Sequence, residues 1–183
     1  PIVRAALVHY QFETAHPFLD GNGRLGRLLI TLMLINDGVL HSCLFYPSFQ
    51  FKKNRSEYYR QLTSVRERGT YEEWIEFFCN SLLESAKDSV GSLKNLVDLH
   101  NRSTATITEN LGRTAANGQR LLGILEEHPI VDTAFIAAQL DIGRSTASSL
   151  VKSFEELGIL RPLDESRQRY RQYGYEEYLS ILR

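Results

Sequence analysis

The sequence predicts a mainly α protein in two parts: a helical N-terminal part, then a small winged helix-turn-helix domain with a two-stranded wing. Three observations carry this. Apolar residues recur with helical spacing through most of residues 3–110. A stretch of small residues, Gly112 to Gly118, then breaks the pattern and marks a boundary. After it the order changes to helix, helix, tight turn, helix, and two short β-prone runs. The expected division is 1–90 for the N-terminal core, 91–116 for a linking helix, and 117–183 for the winged domain.

The elements follow in order. Val3, Leu7, Val8 and Phe12 set a helix over 3–14, which His16-Pro17 interrupts because proline disfavours helix in the residue before it. A loop, Phe18 to Asn22, leads to a second helix over Gly23–Asn36. Leu25, Leu28, Leu29, Leu32 and Met33 form its apolar side, with Asn22 as N-cap and Gly38 as C-cap. Residues 39–50 read as irregular. Helical pattern returns over Lys53–Arg68 and stops at Gly69. From Tyr71 a long helix begins, with Glu72 and Glu73 suiting the dipole of its first turn. Its apolar set is Trp74, Ile75, Phe77, Phe78, Leu82 and Leu83. Lys87 to Asn110 reads as a more polar connecting helix or pair of helices.

In the last part, Gln119–Glu127, Thr133–Leu140 and Ser145–Leu157 read as helices, with Asp132 as a cap and Asp141-Ile142-Gly143 as the turn. Ile124, Leu125, Phe135, Ile136, Leu140, Leu150, Val151, Phe154, Leu157, Ile159 and Leu160 are the expected core. Ile159–Leu163 and Arg169–Tyr173 are expected to pair around the tip Asp164–Gln168. Tyr175 to Leu182 closes the chain as a helix.

Composition bounds the function. The 183 residues carry 21 Lys+Arg and 22 Asp+Glu, a formal net charge of −1. Such a chain is not held to nucleic acid by bulk charge alone. With 43% hydrophobic and 23% charged residues it is a globular protein, not a disordered or collagen-like one. Its richest apolar stretch, Leu28 to Ile35, falls far short of the roughly 20 residues of a membrane helix. Two cysteines, Cys43 and Cys79, build no disulfide framework and lack metal-ligand spacing, as expected of thiols in a reducing cytoplasm. His9, His41, His100 and His128 show no metal spacing and are expected to be structural or surface residues. No signal peptide is visible. The chain opens on Pro1 in mid-pattern of a helix, so residues upstream of it are expected.

The chemistry concentrates in residues 16–27, His16-Pro17-Phe18-Leu19-Asp20-Gly21-Asn22-Gly23-Arg24-Leu25-Gly26-Arg27. Gly21 and Gly23 flank Asn22 where a helix begins. Glycines let backbone approach a ligand, and the free N–H groups and dipole of a helix start attract an anion. Arg24 and Arg27 share one helix face and suit phosphate geometry. A carboxylate beside phosphates, Asp20, calls for a bridging cation such as Mg²⁺. His16 can accept a proton near neutral pH. A base, a metal ligand and a phosphate cradle together suggest attack of a hydroxyl on a nucleotide phosphate.

This segment resembles the signature of the Fic (filamentation induced by cAMP) domain family, His-x-Phe-x-Asp/Glu-Gly-Asn-Gly-Arg-x-x-Arg. His16, Phe18, Asp20, Gly21, Asn22, Gly23, Arg24 and Arg27 match every fixed position. The resemblance extends to Tyr10-Gln11-Phe12-Glu13 and to Arg55-Ser56-Glu57-Tyr58-Tyr59, and covers about residues 1–90. A winged-helix tail is familiar from multi-domain bacterial members. The resemblance implies transfer of AMP from ATP to a Ser, Thr or Tyr hydroxyl of a target protein, with pyrophosphate leaving. It implies His16 as the base and Asp20 as the Mg²⁺ ligand. Gly21, Asn22 and Gly23 would form the anion hole, with Arg24 supporting it and Arg27 meeting the γ-phosphate. Phe18 would anchor the loop in the core. Tyr58 and Tyr59 would border the adenine, against the plainer reading of one packed and one exposed ring.

Many family members carry an inhibitory Ser/Thr-x-x-x-Glu-Gly/Asn helix. Here Glu109-Asn110 is preceded four residues earlier by Ala105, so the pattern fails by register. An inhibitory helix of the N-terminal kind, and the flap that aligns the target side chain, would lie before Pro1.

The third helix of the last domain would expose Arg144, Ser145, Thr146, Ser148, Ser149 and Lys152, residues able to reach bases and phosphates in duplex DNA. Arg161, Arg167, Arg169 and Arg171 would place a wing on the backbone. Residues 117–183 hold 8 basic and 10 acidic residues, a net of −2, which weighs against DNA and leaves target docking or homodimerisation as the competing use. Two alternatives to the transferase therefore stand: a DNA-binding regulator with a nucleotide-responsive or inactive Fic domain, and a truncated Fic remnant serving as an interaction module.

Overall fold

The computed structural model describes residues 1–41, 45–164 and 171–182. It is mainly helical and divides into two compact units, Pro1–Gly91 and Ser92–Arg183.

The first unit opens with α1 (Ile2–Ala15) and α2 (Asn22–Asn36), which pack on each other. Pro17 prevents α1 from continuing, and His16 closes it in the left-handed conformation, φ 46° and ψ 55°. Gly21, at φ 81°, turns the chain into α2, and Gly38, at φ 69°, takes it out. Next come α3 (Pro47–Lys53), with proline at its first position, and α4 (Arg55–Arg68), ended by Gly69 at φ 72°. A single helix, α5, runs from Tyr71 to Asn110, where the sequence suggests separate segments.

The core of this unit holds Trp74, Phe78, Phe51, Tyr58, Leu62, Ile30 and Leu34. The Trp74 indole N–H donates to the Ala6 carbonyl at 3.0 Å, joining α5 to α1. The buried faces of α1 and α2 differ from the expected ones. α1 buries Ala5, Ala6, His9 and Tyr10 and leaves Val3 and Leu7 exposed; α2 buries Asn22, Gly26, Ile30, Thr31 and Leu34 and leaves Leu25, Leu28 and Leu32 exposed. Close helix approach is the reason. A Cβ on Gly26 would stand 2.4 Å from Glu13 Oε1 and 3.2 Å from both His9 Cε1 and Phe12 Cδ1. Small residues mark the seam, and periodicity in bulky residues does not find it.

The second unit takes Ser92–Asn110 of α5, which contributes Leu99 and Ile107 to its core. A 3-10 turn, Gly112–Thr114, leads into α6 (Ala115–Glu127). Then come β1 (Ile130–Asp132), α7 (Thr133–Leu140), α8 (Arg144–Glu156), β2 (Arg161–Pro162), β3 (Gln172–Gly174) and α9 (Glu176–Leu182). The Asp132 carboxylate accepts the Phe135 N–H at 2.8 Å, capping α7. Asp141, at φ 53°, closes α7 and starts the turn to α8. The strands order β1-β3-β2, both pairs antiparallel, with Val131 and Pro162 each opposite Tyr173. β1 was not expected from the sequence. Of the residues expected in this core, Leu125, Ile136, Leu140, Leu150, Val151, Phe154, Ile159 and Leu160 are buried, and Ile124, Phe135 and Leu157 pack against them. The wing tip, with Arg167 and Arg169, lies outside the described residues, as does Cys43.

Gly118 is where α6 presses hardest on its neighbours. A Cβ there would stand 2.8 Å from Ile107 Cγ2 and 2.8 Å from Leu111 Cδ1. Overpacking of this kind costs roughly 1–3 kcal/mol, which outweighs the gain of about 1 kcal/mol in helix propensity. Gly118→Ala should lower the urea midpoint of the second unit with an unchanged slope.

Candidate functional site

The end of α1 and the start of α2 build the site. Two glycine-permissive turns bracket the loop: His16 in the left-handed region at one end and Gly21 at the other. A left-handed conformation in a residue with a side chain is uncommon and marks a place to examine. Just past the second turn, Asn22 fastens the loop. Its side-chain carbonyl accepts the Phe18 N–H at 2.9 Å, and its amide donates to the Phe18 carbonyl. Asn22 is buried, so its side chain holds the loop and what it offers a ligand is its backbone N–H.

The first intrahelical bonds of α2 run from Arg24 and Leu25 N–H to the Gly21 carbonyl, both at 3.0 Å. The N–H groups of Asn22 and Gly23 precede them and stand at the positive end of the helix dipole. The Gly21 N–H is turned toward Asp20 and donates to its Oδ1 at 2.6 Å. The other oxygen, Asp20 Oδ2, lies 3.8 Å from Arg24 Nη2, with both side chains largely in solvent. Arg27 folds back toward the helix start: its Nη1 is 3.2 Å from the point a Cβ on Gly23 would occupy. The absent side chain of Gly23 leaves the space that Arg27 fills.

Glu13, on α1, completes the electrostatics. Its Oε1 is enclosed without a hydrogen-bond partner and lies 4.0 Å from that same point beside Gly23. Burial pushes its carboxyl above the usual range, while the nearby charges of Arg27 and His16 pull it back. Beneath the loop, His9 is fully buried, with Nδ1 at 2.9 Å from the Gly26 carbonyl and Nε2 at 2.9 Å from the Tyr58 hydroxyl. Burial drives its pKa down to about 4, against the help of the Gly26 bond. Sequence reasoning passed over Glu13, His9 and Gly26 as participants. Only their contacts across the helix seam give them a place.

His16, Asp20, Gly21, Asn22, Gly23, Arg24 and Arg27 thus surround one loop. The two tyrosines part company. Tyr58 is 3% exposed, and its hydroxyl is engaged by His9, so it belongs to the core; burial raises its pKa. Tyr59 is 51% exposed, with the Arg55 guanidinium 5.6 Å from its ring centroid. Phe18 does not anchor the loop in the core: it is 52% exposed and rests against Phe12, because the Asn22 bridge already holds the loop.

The donor set fits a magnesium nucleotide. Two helix-start N–H groups and two guanidinium groups would meet phosphate oxygens, and the Asp20 carboxylate, largely in solvent, would share a cation with them. Among the described residues no group of three or more His, Cys, Asp or Glu forms a cage of its own. No described helix is long and apolar enough to cross a membrane.

In the second unit, Arg144, Ser145, Thr146, Ser148, Ser149 and Lys152 all lie on the exposed side of α8. Ala147, Leu150, Val151 and Phe154 fill its inner side. Lys152 Nζ is 3.8 Å from Glu156 Oε1, an exposed pair.

Comparison with known proteins bears on the first unit. Residues 1–34 match the Fic/DOC family model. The chain is 34% identical over 98 residues to a protein adenylyltransferase fic-1 of Caenorhabditis elegans, covering 54% of this chain and 18% of the relative. It is 34% identical over 94 residues to the fic-1 protein of Caenorhabditis briggsae, covering 51% and 17%. It is 36% identical over 80 residues to the protein adenylyltransferase Fic of Drosophila grimshawi, covering 44% and 15%. The chain spans less than a fifth of the length of these curated relatives.

Proposed function

We propose that this chain, whose first 34 residues match the Fic/DOC model, transfers AMP from ATP to a hydroxyl of a target protein. The observation that carries this reading is the loop between α1 and α2. Within twelve residues it carries a histidine, a carboxylate, two helix-start N–H groups and two arginines, with Arg27 folded back over Gly23. The relatives named adenylyltransferases support it.

In this reading the Asn22 and Gly23 N–H groups hold the α- and β-phosphates, Arg24 supports that hole, and Arg27 meets the γ-phosphate. The α-phosphorus then faces the target. His16 takes the proton as the Ser, Thr or Tyr oxygen bonds to the α-phosphorus. The bond to the β-phosphate oxygen breaks, and pyrophosphate leaves. Asp20 would hold Mg²⁺, which supplies charge neutralisation on the phosphates. Tyr59, on the surface, is the aromatic left to border the adenine; Tyr58 is not. Each adenylyl group fixed to protein should be matched by one pyrophosphate released. Inorganic phosphate in its place would mean a different transfer and overturn this reading.

A second reading concerns the second unit. The order α6, β1, α7, turn, α8, β2, β3 supports a winged helix-turn-helix reading, and the hydroxyl and cationic face of α8 suits a DNA groove. The net charge of −2 over 117–183 opposes it and favours a protein partner or a second copy of the chain. Arg144→Ala should weaken duplex binding and flatten its salt dependence. Salt-insensitive behaviour unchanged by the substitution would leave the protein-partner use. A transfer that consumes ATP, in a chain whose Cys79 is a free thiol, suits the cytoplasm.

A further inference from the structure

A histidine is an unexpected choice for the centre of an aromatic core. His9 has no solvent exposure and lies among Phe51, Tyr58, Trp74 and Phe78, stacked on Phe51 (ring centroids 5.9 Å apart, 12° between planes) and on Trp74 (6.1 Å, 16°). A phenylalanine would fill the same space without two polar atoms to satisfy. Both ring nitrogens of His9 are satisfied, and by partners on two different helices.

The partners fix the tautomer. The Gly26 carbonyl can only accept, so Nδ1 carries the proton and donates to it. Nε2 then has only a lone pair, so the Tyr58 hydroxyl must donate to it. The relay therefore runs one way: Tyr58 O–H to Nε2, then Nδ1–H to the Gly26 carbonyl. It joins α4 to α1 and α1 to α2. His9 stands two turns before His16 on α1, and Gly26 stands one turn past the cradle on α2. The ring thus ties the helix that ends in the base to the helix that begins with the anion site. Satisfied polar networks in a core specify one arrangement where apolar packing tolerates several.

We propose that His9, held as the Nδ1–H tautomer between Gly26 and Tyr58, is a positioning residue that sets His16 against the anion loop. This deepens the transferase reading and rests on it. An apolar replacement keeps α1 and α2 packed but frees their register. Misplacement by about 1 Å can cost on the order of 10²-fold in rate.

The test uses the full chain and four forms: wild type, His9→Phe, Tyr58→Phe and His16→Ala. His9→Phe keeps the ring stack and removes both hydrogen bonds. Tyr58→Phe, the gentler change, removes one. ¹⁵N spectra of the wild type report which nitrogen of His9 is protonated. The shift of the His16 ring signal on saturation with Mg-ADP reports how closely the base faces the loop, and it needs no catalysis; His16→Ala assigns that signal. The wild type should show the Nδ1–H tautomer and a clear His16 shift. His9→Phe should lose more than half of that shift and about tenfold or more in transfer rate, with the Mg-ADP affinity within about threefold. Tyr58→Phe should fall between. An Nε2–H tautomer, or a full His16 shift in both Phe variants, would overturn the positioning role and leave the transferase reading intact. A wild type whose His16 signal ignores Mg-ADP would overturn the reading itself, and the positioning role with it.

Discussion

His16→Ala should lower transfer of AMP by a factor on the order of 10²–10⁴ while leaving the affinity for Mg-ATP within a few fold. The split follows from where the groups sit. His16 ends α1, outside α2, and in the proposed reading the phosphate cradle is Asn22, Gly23, Arg24 and Arg27 of α2. Removing the imidazole takes away the proton acceptor and none of the phosphate contacts. Its left-handed backbone makes alanine slightly strained there, a cost confined to the helix end. Steady-state label transfer with a parallel binding titration checks both halves. A joint loss of rate and affinity would place His16 in nucleotide binding instead of proton transfer.

The first unit should lose stability as pH falls from about 6.5 to about 4, and His9 is the chief cause. In the unfolded chain its imidazole protonates at the ordinary value of 6.5; in the folded chain burial holds that back to about 4. Between those values the unfolded chain binds the extra proton, so stability rises with pH across the window and is lost on acidification. The shift corresponds to about 3 kcal/mol, a large part of the stability of a small unit. Glu13 works the other way. Its raised carboxyl is costly when charged, and that cost is relieved as pH falls, so it softens the acid loss without reversing it. Trp74, the single tryptophan, packs against His9 and reports this unit alone. Its fluorescence in urea at a series of pH values should show the midpoint falling below pH 6.5. His9→Phe should flatten that dependence.

Much of the site was legible because its chemistry is contiguous. Twelve successive residues hold the proposed base, the carboxylate, the proposed anion cradle and both arginines, and the turns at His16 and Gly21 bound the loop between them. What was not legible depends on contacts between distant residues. Periodicity assigned the leucines of α2 to the core, yet Gly26 faces inward because α1 approaches there too closely for a larger side chain, and Asn22 is buried as it bridges to Phe18. Adjacent tyrosines look alike in sequence, and only their surroundings, with Tyr58 buried and bonded to His9 and Tyr59 exposed, show which is internal. Phe18 read as an anchor because it is a large ring, but a buried asparagine does that work with two hydrogen bonds. The helices of the second unit followed from caps and spacing, whereas β1 is three residues long and exists through its pairing with β3. The continuity of α5 across residues 87–110 was likewise hidden, since polar residues there blur the apolar stripe.

The most direct test of the account is to incubate the 183-residue chain with α-labelled ATP, Mg²⁺ and a cell lysate, and to count label bound to protein against a His16→Ala control. The loop geometry predicts label that depends on His16. Nucleotide bound with no such label would contradict the transferase and leave the first unit a nucleotide-binding module.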